Sequence, residues 1–256
     1  MIGRSRAHVC AFLEQGAWFG QLPESLRRRF VDLSAIRTFT KGQIIQTEEG
    51  DGVGMTAILE GSVRFFRYVH VSEPTLLHVA GPGFWFGHMT VLEHGSPIVT
   101  AVARATTRAL VLTRAAFTRL ASEDQRLVPA VNEFVYERIR QSYRALAQTQ
   151  ELAADERLRV RLADLADMRR LEVPVTGTPV ELDLTQSELS AIVRLSRQQV
   201  NARLRALQER GLVELGQRRI RILDGDRLRN MAIDDVRPSS RSRSARKRAG
   251  RGEQGL

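Results

Sequence analysis

Apolar residues keep two rhythms along this chain. From about residue 20 to residue 120 they come in short runs bounded by glycine. Examples are Gly42-Gln-Ile-Ile-Gln, residues 55–59, Val63-Arg-Phe-Phe-Arg-Tyr-Val, residues 76–79, Phe84-Trp-Phe-Gly87 and residues 99–112. Such runs predict an antiparallel barrel or jelly roll, with a helix over residues 25–32 before it. From residue 122 the period becomes helical. Leu127, Val131, Val135, Ile139, Tyr143 and Leu146 recur at intervals of four, four, four, four and three through residues 122–152. Pro129 lacks an N–H, so it either kinks this helix or marks its true start. A long striped helix between two compact units is a natural dimer seam; packing on its own barrel is the plainer alternative. Another amphipathic helix over 154–168 turns Leu158, Leu162, Leu165 and Met168 inward. Residues 173–184, broken by Pro174, Gly177 and Pro179, read as a loop or short hairpin.

Residues 184–210 carry the most chemistry. They read as two short helices, each opened by a capping box: Thr185 with Glu188, and Ser196 with Gln199. In each box the hydroxyl satisfies a free helix N–H and the longer side chain reaches back to the cap. Only Arg194 and Leu195 separate Val193 from the second cap, as a helix-turn-helix requires. Val200, Leu204 and Leu207 stripe one face of the second helix; Arg197, Gln198, Asn201, Arg203 and Arg205 occupy the other. Arg, Gln and Asn can pair with guanine or adenine edges in the major groove. A solvated basic face is the bland alternative. Gly211 then suits a helix stop, and residues 212–215 and 220–223 a hairpin turning at Gly216-Gln217. Helix, turn, helix and hairpin make a winged helix-turn-helix, with Arg218, Arg219 and Arg221 on the wing for phosphates.

Composition narrows the classes. The chain has 256 residues and 43% hydrophobic residues, enough for two modest domains. No apolar run is long enough to span a membrane and no secretory signal is visible, so a cytoplasmic protein is expected. One cysteine, Cys10, excludes an intrachain disulfide and a Cys-ligated iron–sulfur cluster. The net charge is +10, concentrated after residue 236, where seven Arg and Lys face one acid, Glu253. That tail has little apolar surface and is expected to be disordered, a salt-sensitive tether to phosphates or a mere solubiliser. No nucleophile–base pair, phosphate loop or metal cluster appears, so an enzyme is not expected.

Lys41-Gly-Gln-Ile-Ile45, Glu49-Gly-Asp51, Ile58-Leu-Glu-Gly-Ser-Val63 and Gly83-Phe-Trp-Phe-Gly87 resemble the cyclic-nucleotide-binding barrel. Followed by the winged helix with Leu195-Ser-Arg, they resemble the Crp/Fnr family of bacterial transcription regulators over roughly residues 20–225. The resemblance implies an α+β chain: a jelly-roll sensor barrel over 1–121, a dimerisation helix over 122–152, a winged helix-turn-helix over 153–228 and a basic tail over 229–256. It implies a homodimer on double-stranded DNA with a two-fold operator, touching RNA polymerase if it activates. By resemblance Arg197 reads guanine, while Gln198 replaces a glutamate and Ala202 a second arginine. The operator should therefore differ from that of the best-known members. Asn201 and Arg205 join the base-reading set; Thr185, Gln186, Ser196, Gln199, Arg203, Arg218 and Arg219 are the expected phosphate contacts. Arg194 stands where the family turn has glycine, at a cost of roughly 1–2 kcal/mol if left-handed.

The family's nucleotide pocket is only partly kept. After the barrel's Phe-x-Gly the resemblance calls for a ribose-binding glutamate and, about ten residues on, a phosphate-binding arginine. Here stand Gly87, His88 and Met89, then Val99 and Thr100. A buried phosphate without a bidentate arginine loses its main charge compensation. Cyclic AMP in the usual mode is therefore not expected, no cofactor is predicted and the effector is left open. Ser142 and Tyr143 fall near where the family presents hydroxyls to the ligand. The haem-ligand candidates, Cys10 and His8, His70, His78, His88 and His94, match no metal spacing. The competing readings are a cyclic-nucleotide signalling module and a ligand-independent architectural DNA-binding protein.

Overall fold

The computed structural model describes residues 5–70, 73–93, 95–172 and 179–231. Helix α1 (Arg6–Leu13), capped by the Ser5 side chain, and α2 (Glu24–Leu33) precede eight strands. These are β1 (Ala35–Phe39), β2 (Ile44–Gln46), β3 (Met55–Glu60), β4 (Val63–His70), β5 (Glu73–Ala80), β6 (Trp85–Phe86), β7 (Thr100–Ala103) and β8 (Thr107–Leu112). Helix α3 (His88–Leu92) lies between β6 and β7. The strands form two four-stranded antiparallel sheets, ordered β1-β8-β3-β6 and β2-β7-β4-β5. The sheets do not join into a closed barrel; the observed form is a jelly roll.

Strand β3 carries an unbroken apolar run over residues 57–59 because both of its faces are covered. Ile58 points between the sheets with Phe65, Phe84, Phe86 and Ala101. Ala57 and Leu59 point the other way, into a second core of helices with Phe19, Phe30 and Trp85. A strand covered on both faces is apolar at every position. Gly87 caps α3 at φ +84, and a Cβ there would lie 2.0 Å from the Gly54 carbonyl oxygen. Only glycine permits both that backbone and that approach.

Helix α4 (Arg114–Glu123), capped by Thr113, ends before α5 (Leu127–Glu151) begins. Pro129 sits in the first turn of α5, where its missing N–H costs nothing. The apolar stripe of α5 divides in two. Leu127 and Val131 are fully buried in the helical core of their own chain, and Val135 packs against it. Leu127 and Val131 therefore leave the expected dimer stripe. Farther along, Tyr136, Ile139, Tyr143 and Leu146 are exposed.

The C-terminal unit contains α6 (Ala154–Glu172), β9 (Val180–Leu182), α7 (Gln186–Val193), α8 (Arg197–Glu209), β10 (Val213–Gly216), β11 (Arg219–Ile222) and α9 (Gly225–Asn230). Leu158, Leu162, Leu189, Val200, Leu204 and Ile220 share its core. The wing is a three-stranded sheet, because β9 pairs with β11 (Ile220 opposite Leu182). Helix α9 runs two residues past the expected end of this unit at residue 228. Arg159, 1% exposed, donates from Nη1 to the Leu228 carbonyl at 2.7 Å. Arg229 pairs with Asp164 at 2.7 Å and Asp167 at 2.8 Å. The tail expected to be disordered spans 229–256; residues 229–231 belong with the folded unit, and the rest, 232–256, lies outside the described residues. Among the described residues no helix is long and apolar enough to cross a membrane.

Candidate nucleic-acid interface and ligand cavity

Both capping boxes close. Glu188 N donates to Thr185 Oγ1 at 3.2 Å, and Thr185 N donates to Glu188 Oε2 at 2.9 Å. Gln199 N donates to Ser196 Oγ at 3.2 Å, and Ser196 N donates to Gln199 Oε1 at 3.0 Å. Between the boxes Arg194 is left-handed, at φ 53 and ψ 50. An Arg194→Gly variant should therefore gain stability. Relief of roughly 1–2 kcal/mol of strain, less the freedom glycine adds to the unfolded chain, leaves a gain of up to about 1 kcal/mol. The denaturant midpoint checks this; an unchanged or lower midpoint would show that Arg194 stabilises the turn by other contacts.

On α8, Arg197, Gln198 and Arg205 are exposed and Asn201 is half-buried, all away from the core stripe. Arg203 is not on this open face. Its guanidinium pairs with Asp155 of α6, and its Nη1 donates to the Gln199 carbonyl at 3.1 Å. It braces α8 instead of facing outward to a phosphate. On the wing, Arg218 stands exposed at φ 71 in the turn. Arg219 approaches Glu181 at 3.6 Å, a surface pair, and Arg221 pairs with Glu214. Thr185 and Gln186 are half-buried at the start of α7.

An ionic cluster joins the start of α7 to the jelly roll. Arg104, just after β7, is 5% exposed, as is Glu188. Arg104 Nε meets Glu188 Oε1 at 2.9 Å and its Nη2 meets Oε2 at 3.0 Å. Arg64 of β4 adds a bond from Nε at 2.8 Å, and Asp183 Oδ1 lies 2.6 Å from Arg104 Nη1. Burial opposes charge on Glu188. The Thr185 hydrogen bonds and the two guanidiniums outweigh it and hold the carboxyl below its ordinary range. Nothing in the sequence spacing joins residues 104 and 188; only the tertiary fold does.

A cavity of about 450 Å³ opens where the jelly roll meets α5 and α6. Gly87, His88, Met89, Val99 and Ser142 line it. Thr100 does not; its hydroxyl accepts from Glu48 N at 3.0 Å. Tyr143 is 70% exposed on the outer side of α5 and leaves the pocket set. Two residues not foreseen enter: Arg138 of α5 and Arg161 of α6. Arg138 was legible in one respect, since it precedes Ser142 by one helical turn. Its guanidinium lies 4.4 Å from the Phe84 ring centroid and 5.1 Å from that of Phe134. Its carboxylate neighbour Glu172 is 3.9 Å away. Burial pushes the Glu172 carboxyl up to about 7, against the pull of Arg138 and Arg169.

Burial, reinforced by Arg161 and Arg138, lowers His78 to about 3; burial and Arg138 lower His88 to about 4. Both imidazoles are neutral at pH 7. Among the remaining histidines, His8 is exposed, while His94 and the His70 side chain lie outside the described residues. Among the described residues no three His, Cys, Asp or Glu side chains gather as a metal site would need.

Comparison with known proteins matches these two units. Residues 36–124 fit the cyclic nucleotide-binding domain, and residues 150–231 fit the Crp-like helix-turn-helix domain. A CRP-like cAMP-activated global transcriptional regulator of Mycobacterium tuberculosis is 26% identical over 76% of this chain and 86% of its own length. A cyclic AMP receptor protein of Thermus thermophilus is 27% identical over 77% of this chain and 88% of its own. The structure of FixK2 from Bradyrhizobium japonicum shares the fold, with TM-score 0.65 and 18% identity over 77% of this chain and 96% of that one. With a nucleotide-type jelly roll, a long helix and a Crp-like helix-turn-helix in that order, the chain belongs to the Crp/Fnr family of DNA-binding transcription regulators.

Proposed function

We propose that this regulator works as a homodimer on a two-fold operator, with α8 in the major groove of each half-site. The observation that carries this reading is the open polar face of α8, where Arg197, Gln198 and Arg205 are exposed. Arg197 suits guanine, and Gln198 or Asn201 suits adenine. Arg218 and Arg219 of the wing, with the α7 and α8 N-termini at Thr185, Gln186, Ser196 and Gln199, would hold phosphates. Arg203 drops out of that set because Asp155 engages it. The seam would be the exposed half of α5. Contact with RNA polymerase follows if the protein activates, and a cytoplasmic place and a binding rather than catalytic role accord with this reading.

The cavity is read as the effector site. The relatives' names refer to cyclic AMP. In this chain Val99 lines the cavity where the resemblance calls for a phosphate-binding arginine, and Thr100 is occupied by Glu48. The effector is therefore expected to differ from cyclic AMP held in the usual way.

Arg197→Ala should relax discrimination at one base pair per half-site by about 1–3 kcal/mol. Arg218→Ala should weaken all sequences alike and flatten the salt slope by about one. Footprinting with salt-dependent titrations on specific and random DNA reads both. Equal losses on both DNAs for both variants would sink the assignment, and continuous coverage without discrete sites would favour an architectural protein.

A further inference from the structure

Among the described residues, the wall of the cavity between the jelly roll, α5 and α6 carries two guanidiniums, Arg138 and Arg161, and no carboxylate. Arg161 forms no hydrogen bond or ion pair among the described residues, and its nearby acid Asp164 is held by Arg229 at 2.7 Å. Arg138 donates to Gln141 Oε1 at 3.2 Å and has Glu172 at 3.9 Å. Buried charges are ordinarily paired. The rest of the wall is largely apolar, with Phe65, Phe84 and Phe86 among its rings. Three buried polar atoms on the same wall lack partners among the described residues: Gln46 Oε1, His78 Nδ1 and His88 Nδ1. Buried polar atoms are rarely left unsatisfied, so each marks a place for a ligand atom.

We infer that this cavity takes a small organic anion with an aromatic or similarly apolar body, its negative head held by Arg138 and Arg161. The body lies against Phe65, Phe84 and His78. The inference rests on reading this cavity as the effector site, and it deepens that reading. It relocates anion recognition: the charge is met from α5 and α6 and not from the strand end at Val99. Because α6 belongs to the DNA-binding unit, Arg161 would make that unit a direct party to ligand binding. The volume is within the usual range of small-molecule sites, roughly 300–1,000 Å³. Burial lowers both guanidiniums below their ordinary values, which a bound anion would reverse.

Calorimetry on the full chain tests this with three probes: 1-naphthoate, the neutral 1-naphthamide with the same body, and cyclic AMP. Saturable binding of one naphthoate per chain is expected, with naphthamide about tenfold or more weaker. Arg161→Gln and Arg138→Gln should each weaken naphthoate about tenfold or more, with naphthamide unaffected and the melting curve retained. Cyclic AMP binding that falls equally in both variants would support the same recognition with a phosphate head. Equal affinity for naphthoate and naphthamide, no binding by any anion, or anion binding indifferent to both substitutions would overturn it. Footprinting on the same preparations separates the two readings. Naphthoate binding without a two-fold footprint would fail the operator proposal alone, and the converse would fail this one alone.

Discussion

Replacing Arg104 by Ala should cost about 3–5 kcal/mol, the usual result of removing one partner from a buried ion pair. The loss should fall on the connection between the two units. Arg104 and Glu188 are each 5% exposed, and deletion of the cation leaves a buried carboxylate with Arg64 and Thr185 alone. The readout is built into the chain. Its two tryptophans, Trp18 and Trp85, both lie in the helical core beside the jelly roll. Tryptophan fluorescence therefore follows the N-terminal unit, while circular dichroism follows both. In urea the two signals should coincide for the parent chain and separate for Arg104→Ala, with the helical signal lost first. Coincident curves in the variant would show that the pair does not join the units. The pH dependence has a definite sign. The folded state holds the Glu188 carboxyl below its ordinary range, so this stabilisation is fully present above the ordinary carboxylate pKa. It is lost as the pH falls through the folded value. The parent chain should then acquire the variant's separated curves in acid.

A double variant, Ile139→Glu with Leu146→Glu, should abolish dimerisation and lower operator affinity about 10²- to 10⁴-fold, the scale of lost bivalency. Tyr136, Ile139, Tyr143 and Leu146 are 59%, 44%, 70% and 53% exposed. Their spacing of three, four and three is the rhythm of a helix–helix seam. None belongs to an intrachain core, so the single chain should keep its melting temperature. Sedimentation and operator titration give the two readouts. A variant that still sediments as a dimer would place the seam elsewhere. The earlier half of the stripe would make a poor test, because substitution at Leu127 or Val131 opens the chain's own core.

Local chemistry was the readable part of this sequence. Both capping boxes, the core stripe Val200-Leu204-Leu207 and the left-handed strain at Arg194 depend on neighbours within one turn, and the structure contains all of them. Strand runs were also legible, since glycine marks their ends. Long-range outcomes were not. Whether the two sheets close is decided by strand order, which no run of residues encodes locally. The period of the α5 stripe is the same whether it meets its own core or another chain, so Leu127 and Tyr143 look alike in sequence. Helix α9 is a single short segment whose anchor, Arg159, lies about seventy residues earlier. In the cavity, the visible signal was a loss at Val99. The compensating guanidiniums come from two other helices: Arg138 is marked only by its place one turn before Ser142, and Arg161 by nothing among its sequence neighbours.

Glu188 has a second consequence. Its Oε2 also accepts from the Thr185 backbone and hydroxyl, at 2.9 and 2.8 Å, within α7 itself. If Arg104 and Arg64 let go, those local bonds remain and the helix start stays closed. Separation of the units would then require rehydration of two guanidiniums and a carboxylate, with no helix melting and re-forming. Such a movement belongs to the microsecond-to-millisecond range of rigid-body domain motion, not to the slower range of local unfolding. The DNA-reading surface would arrive at its operator already folded.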